Sequence, residues 1–348
     1  MEVTETTPKP AVPHKLIVSS SPHLRDNESV SKIMWNVVLA LMPATIFSVF
    51  NFGLAALLTL LVTIASAVLA EALIQKWQKV EVTVNDGSAF LTGLLLALTL
   101  PPTIPWYMPI LGAVVAIGIA KHTLGGLGYN IFNPAHVGRA LLLLSWPISM
   151  TTWAVTQLGP HTGAADAVTG PTPLGLLKMQ GHDALVASFG SQSDLYQAMF
   201  FGFRGGSLGE TSTLLLLVGG LYLIARRYVK WHVPVFMIGT VGLLTWVFGG
   251  VAGLFTGDGL FHMMAGGLVI GAFFMATDMV TIPTTKLGQV LFAVGVGALT
   301  TLIRLKGGYP EGVCYAILLM NAVTPLIDRY LVPVKFGSPV KAGKRSAS

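Results

Sequence analysis

The sequence predicts an all-α polytopic membrane protein of about ten transmembrane helices, in two inverted five-helix repeats with broken helices. Three observations carry that prediction. Of 348 residues, 53% are apolar and only 10% charged, with a mean hydropathy of +0.70, whereas soluble domains are about a quarter charged. Apolar runs of about 17 to 25 residues, enough to cross a hydrocarbon core of ~30 Å as helices, follow one another with short polar breaks. Two segments also recur in the same order at similar spacing. The period-two alternation of a membrane barrel is not seen.

Residues 1–32 read as a cytoplasmic arm. It is polar and Pro-bearing at its start, with no apolar stretch behind a basic beginning, so it is not a cleaved signal peptide and the first span must direct insertion. Asp26 to Ser29 can cap the helix that follows. The first five-helix repeat, 33–152, holds spans near 33–52, 54–75, 88–104, 107–124 and 135–152. A hydrophilic connection, 153–210, precedes the second repeat, 211–331, with spans near 211–225, 233–250, 260–276, 287–303 and 310–331. A basic tail, 332–348, ends the chain.

With both termini in the cytoplasm, all of the 21 basic residues except Lys178, Arg204, Arg304 and Lys306 fall on or next to the inner face, as the positive-inside rule requires. Trp77, Trp106, Trp146, Trp153 and Trp231 stand at predicted span ends, where amphipathic rings prefer the headgroup region. The connection at 153–210 is therefore expected outside the cytoplasm. The formal net charge of +6 is spread over loops and tail, which argues against a nucleic-acid surface.

The repeat pairs Thr99-Leu-Pro-Pro-Thr-Ile-Pro105 with Thr277-Asp-Met-Val-Thr-Ile-Pro283. It also pairs Pro134-Ala-His-Val-Gly-Arg-Ala-Leu-Leu-Leu-Leu144 with Pro310-Glu-Gly-Val-Cys-Tyr-Ala-Ile-Leu-Leu-Met320. An odd number of spans per half inverts the second copy, and spans broken by Pro and Gly in such repeats frame sites within the membrane. Two pseudo-symmetric pockets follow, which need not do the same thing, since Asp278 takes the place of Leu100.

Among the acidic residues, Glu71 and Asp278 are read as the ones at apolar helix ends or inside spans, where a carboxylate is costly. Asp278 lies beside Thr277, Thr281 and a Pro break, so it binds a ligand or caps a helix. Glu71 is expected to pair locally with Lys76. Gly125-Gly-Leu-Gly-Tyr-Asn-Ile-Phe-Asn-Pro-Ala135 lacks the preceding strand of a nucleotide-binding loop. Its Asn130 and Asn133 either present two amides to a flavin edge or quinone carbonyl or satisfy the helix end's own backbone.

The eight histidines show no helical metal-ligand spacing, and His122 and His136 are placed at the inner interface. A single cysteine, Cys314, excludes a disulfide framework and an all-cysteine cluster. Redox chemistry would need another carrier. In Asp166-Ala-Val-Thr-Gly-Pro-Thr172, a threonine hydroxyl could be esterified by the phosphate of FMN, with Asp166, Thr169 and Gly170 making the segment accessible. Taken alone, such a polar segment reads equally as a loop.

Several separated motifs change that weight: Ser21-Pro-His23, Asn130-Ile-Phe-Asn-Pro-Ala135, the Thr169-Gly-Pro-Thr172 loop, Ala276-Thr-Asp278, and Arg304 through Gly308-Tyr-Pro310 to Leu319-Met-Asn321. From about Ser21 to Asp328 the chain resembles the D subunit of the Rnf electron transport complex, and more distantly the B subunit of the sodium-pumping NADH:quinone reductase. The resemblance implies covalent FMN in phosphoester linkage on Thr172, attached by a flavin transferase that reads Asp166, Thr169 and Gly170. It also implies a noncovalent riboflavin toward the cytoplasmic side, at Asn130, Asn133 and Asp278. Pro171 departs from the family, which usually has alanine there, and biases Gly170 toward extended backbone.

The implied function is a flavin-carrying subunit in the bacterial inner membrane. It would belong to a complex that transfers electrons between ferredoxin and NAD, coupled to proton or sodium translocation, with catalysis belonging to the assembly. The implied partners are the other Rnf subunits, including a periplasmic FMN subunit and iron-sulfur subunits, together with membrane lipid. A small polar solute channel or transporter on the same inverted repeat, or a structural anchor, would use the same spans.

Overall fold

The computed structural model describes residues 28–123, 125–154, 169–210, 212–250 and 253–332. Helix α1 (Val30–Phe52) starts at Ser29, whose side chain accepts from the Lys32 N–H. Such a cap satisfies one of the orphan amides of a first turn. Gly53, at a φ of 69°, turns the chain directly into α2 (Leu54–Trp77), a conformation that favours glycine. Helix α3 (Ser88–Leu98) ends in an irregular stretch at 99–106. Helix α4 (Tyr107–Val115) follows and continues as a π-helix over Ala116–His122. Asn133 then caps α5 (Pro134–Ser145), which has Pro at its first position, where a missing N–H costs nothing. Short α6 (Pro147–Met150) completes this part.

The connection expected to be hydrophilic holds structure of its own. Strands β1 (Trp153–Ala154) and β2 (Thr169–Gly170) pair antiparallel, Trp153 opposite Gly170. Helices α7 (Pro173–Gln180), α8 (His182–Phe189) and α9 (Gln192–Phe201) then pack against α12, which lies further along the chain at Gly259–Met264. Leu174, Leu185, Leu195, Met199, Phe261 and Ala265 form this separate core.

Helices α10 (Thr213–Ala225) and α11 (His232–Phe248) precede α12. Helix α13 (Leu268–Ile270) runs into a second π-helix, Gly271–Met275, and an irregular stretch leads to α14 (Lys286–Lys306) and α15 (Val313–Tyr330). The expected span near 260–276 is thus broken into α12 and α13. Both copies of the Thr-Ile-Pro segment are non-helical and each precedes a helix, α4 or α14. Pro134 and its repeat counterpart Pro310 stand at the start of α5 and just before α15.

Three helices, α1, α2 and α14, are long and apolar enough to cross a membrane, and several shorter apolar helices accompany them. Large apolar side chains face outward on them, including Leu39, Phe50, Leu58, Leu61, Leu69 and Leu291. Outward-facing leucine and phenylalanine would be costly in water but not in lipid. Together these features make a mostly helical membrane protein. Contacts between helices rely on small residues, as is common without a hydrophobic drive in lipid. A Cβ on Gly219 would lie 2.1 Å from the Ala40 carbonyl oxygen, and one on Gly138 2.6 Å from that of Gly112. Helix α1 thus meets α10, and α4 meets α5, at backbone distance.

Candidate functional site

Asn130, Asn133 and Asp278, far apart in the chain, line one cleft of about 880 Å³. The π-helices supply much of its wall: Lys121 from the first, Phe273 and Phe274 from the second. A π-turn widens the helix by one residue and is frequent beside functional sites. The rest is mainly apolar, with Met34, Val37, Leu91, Leu95 and Leu223, plus the Tyr228 ring.

Asn133 satisfies backbone groups at the helix end. Its Oδ1 accepts from the Ala135 and His136 N–H groups at 3.1 and 3.4 Å, capping α5, while its Nδ2 donates to the Met275 carbonyl at 3.3 Å. The cap therefore ties α5 to the second π-helix. Asn130 donates to the Phe132 carbonyl at 3.2 Å, and its side chain stands beside the Asp278 carboxylate. Asp278 accepts weakly from Val280 N–H and the Thr281 hydroxyl, both at 3.4 Å. Loosely held polar groups on an apolar wall are the usual makeup of a ligand cleft.

Glu71 does not pair with Lys76. Its two carboxylate oxygens each accept from Lys121 Nζ at 2.8 Å, and Lys121 spends its third proton on Ser88 Oγ at 2.6 Å. Both charges are buried. Lys121, read from sequence as on or next to the inner face, meets this carboxylate because α2 packs on α4 and its π-helix. Lone burial of either charge would be far costlier. His122 is also buried, 3.8 Å from Glu71.

Thr172 is buried, 4% exposed, at the N-cap of α7. Its Oγ1 accepts from the Gly175 N–H at 3.1 Å, and a Cβ at residue 175 would crowd that oxygen at 3.3 Å. Thr169 and Gly170 form β2, and Pro171 is exposed. Asp166 and Ser21-Pro-His23 lie outside the described residues. From the far end of α7, Lys178 donates to the carbonyls of Arg304, Gly307 and Tyr309 around the C-terminus of α14. Partial burial draws its pKa below the ordinary lysine value.

A second, smaller cavity lies between α5, the Ser207–Glu210 segment and the head of α15. Arg139 donates to Glu311 Oε2 at 2.6 Å and to the Thr99 carbonyl. Glu210 and His136 line the same space. Glu210 is thus also a buried acid, and Glu311 is only 13% exposed. His136 is 2% exposed. Glu311 carried one available signal, its place beside Pro310 in the repeated segment.

A model of the NQR2, RnfD, RnfE family matches residues 17–337. The D subunit of the proton-translocating ferredoxin:NAD(+) oxidoreductase complex of Clostridium ljungdahlii is 64% identical over 92% of this chain and 96% of its own. Its counterpart in the Na(+)-translocating complex of Acetobacterium woodii is 45% identical over 90% and 93%. The D subunit of the ion-translocating oxidoreductase complex of Stutzerimonas stutzeri is 44% identical over 89% and 92%. The chain is a member of the NQR2, RnfD, RnfE family.

Proposed function

We propose that the protein is the flavin-carrying D subunit of an Rnf-type, ion-translocating ferredoxin:NAD oxidoreductase complex. The relatives' names support membership in such a complex. The observation that carries the flavin reading is the convergence of Asn130, Asn133 and Asp278 on one largely apolar cleft.

The residues fit the groups the family implies. Riboflavin's ring system needs a flat apolar slot with hydrogen-bonding groups at one edge, which Phe273, Phe274, Asn130 and Asp278 offer. A phosphoester on Thr172 Oγ1 would sit at the start of α7, where free backbone N–H groups and the helix dipole favour an anion. Gly175 leaves room beside that oxygen. When bound, the flavins supply the electron-transfer chemistry. The chain's own residues orient the rings, exclude water and anchor the tether. Because Thr172 is buried, a flavin transferase would meet it before this region packs or after α7 opens.

In this reading ten spans form two inverted halves, 33–152 and 211–331, with both termini cytoplasmic and the 153–210 connection periplasmic. The packing of α1 on α10 and of α5 on α15 supports it, since a pseudo-two-fold axis would relate those pairs. Partners are the other Rnf subunits, including a periplasmic FMN subunit and iron-sulfur subunits. Denaturing electrophoresis tests the tether: the wild-type band should fluoresce with flavin and the Thr172→Ala band should not. A dark wild-type band, with solute uptake by vesicles holding the chain, would replace this reading with a transporter.

A further inference from the structure

The cavity beside Arg139 has the chemistry of a proton site. Three features separate it from a structural ion pair. First, a buried salt bridge stabilises only when its remaining lone pairs are satisfied, yet Glu311 Oε1 is fully enclosed without a hydrogen-bond partner. Second, His136, buried on α5, has neither ring nitrogen hydrogen-bonded, and it lines the same space. A buried polar atom without a protein partner calls for an explanation, a chemical role among them. Third, two carboxylates, Glu210 and Glu311, share this cavity with one guanidinium, Arg139.

The other nearby cations are committed elsewhere. Arg204 donates to the Glu210 and Met264 carbonyls, and Arg304 to those of His262 and Ala265. They hold the C-terminal carbonyls of α12 and keep their charge; Arg204, drawn down to about 10 by burial, stays protonated at neutral pH. Cys314 is engaged with the His136 carbonyl at 3.5 Å, and the Tyr315 hydroxyl stands unpartnered. Guanidinium groups on several sides repel a metal cation, whereas a proton that neutralises a carboxylate is compatible with them.

We propose that this cavity binds and releases one proton, with Glu311 as its carrier and His136 as the neighbouring group able to accept it. On binding, a proton leaves a protonated His136 ring nitrogen or a hydronium ion, an O–H bond forms at Glu311 Oε1, and the Arg139 charge is left uncompensated by that residue. On release the bond breaks, the proton passes to a His136 ring nitrogen or to water, and the carboxylate is again held by Arg139. Glu210 sets the balance, since its negative charge favours the protonated state of Glu311. The assignment is independent of any flavin. It also gives the site a mechanical neighbour: Gly266 brings Leu174 of α7, Arg304 and Glu311 within about 4 Å of one point.

The test is infrared difference spectroscopy of the purified complex during a pH titration, in H₂O and D₂O. A carboxylic-acid carbonyl band that shifts in D₂O and vanishes in Glu311→Gln is expected. In Glu210→Gln, which leaves the Arg139–Glu311 pair in place, that band should titrate with about tenfold weaker proton affinity, the effect of losing a nearby like charge. A spectrum unchanged by Glu311→Gln overturns the proposal. If that variant does not assemble, a Glu210→Gln complex whose carboxyl titration matches wild type overturns it equally.

Discussion

The two cavities are built on opposite principles. The cleft at Asn130, Asn133 and Asp278 is apolar, with a few weakly held polar groups, and its one strong ion pair, Glu71–Lys121, is internally complete. The cavity at Arg139 is small and dense in charge, and its hydrogen bonding is incomplete. A ligand with its own ring surface can fill the first without disturbing any charge. The second holds charge that only a small charged species can rebalance.

That contrast can be broken by substitution. Arg139→Ala would leave Glu311 buried and unpaired and should cost about 3–5 kcal/mol, read as a large fall in the thermal midpoint of detergent-purified protein. Its noncovalent flavin, measured per folded chain, should stay at the wild-type level; loss of flavin without loss of stability would merge the two cavities. Gly220→Ala acts on the other side, since its Cβ would come within 2.3 Å of the Phe273 ring. Overpacking of this kind costs about 1–3 kcal/mol. Phe273 lines the cleft, so bound flavin should fall more steeply than stability, as seen in flavin released on denaturation. The smallest effect belongs to Lys178→Met. It removes an exposed cation from the C-terminus of α14, worth about 0.3–1 kcal/mol, and a shift of only a degree or two in unfolding temperature is expected, with both cavities unaffected.

Much of the helical frame was legible in the sequence, because apolar length and Pro or Gly breaks are local signals. Asn130, Asn133 and Asp278 were legible too, each standing at a break where polar residues are out of place. The helices α7 to α9 were not, because short, mixed segments of eight to ten residues give no strong period. Pairings across the fold were equally hidden. Lys76 is Glu71's neighbour in sequence, but Lys121 is its neighbour in space. Arg139 reaches Glu311 only because α5 packs on α15, and His136 is buried by the same contact. Thr172 was singled out by motif alone; its burial and its role as a helix cap depend on tertiary packing.

The most direct measurement is a flavin count on denatured protein, separating what stays on the chain from what is released. The account predicts FMN retained on wild type and absent from Thr172→Ala. It also predicts a phosphate-free flavin released from both, and lost from a double variant of Asn133→Ala and Asp278→Asn that keeps its covalent FMN. Release of no flavin from folded wild-type protein, or covalent flavin persisting in Thr172→Ala, would contradict it.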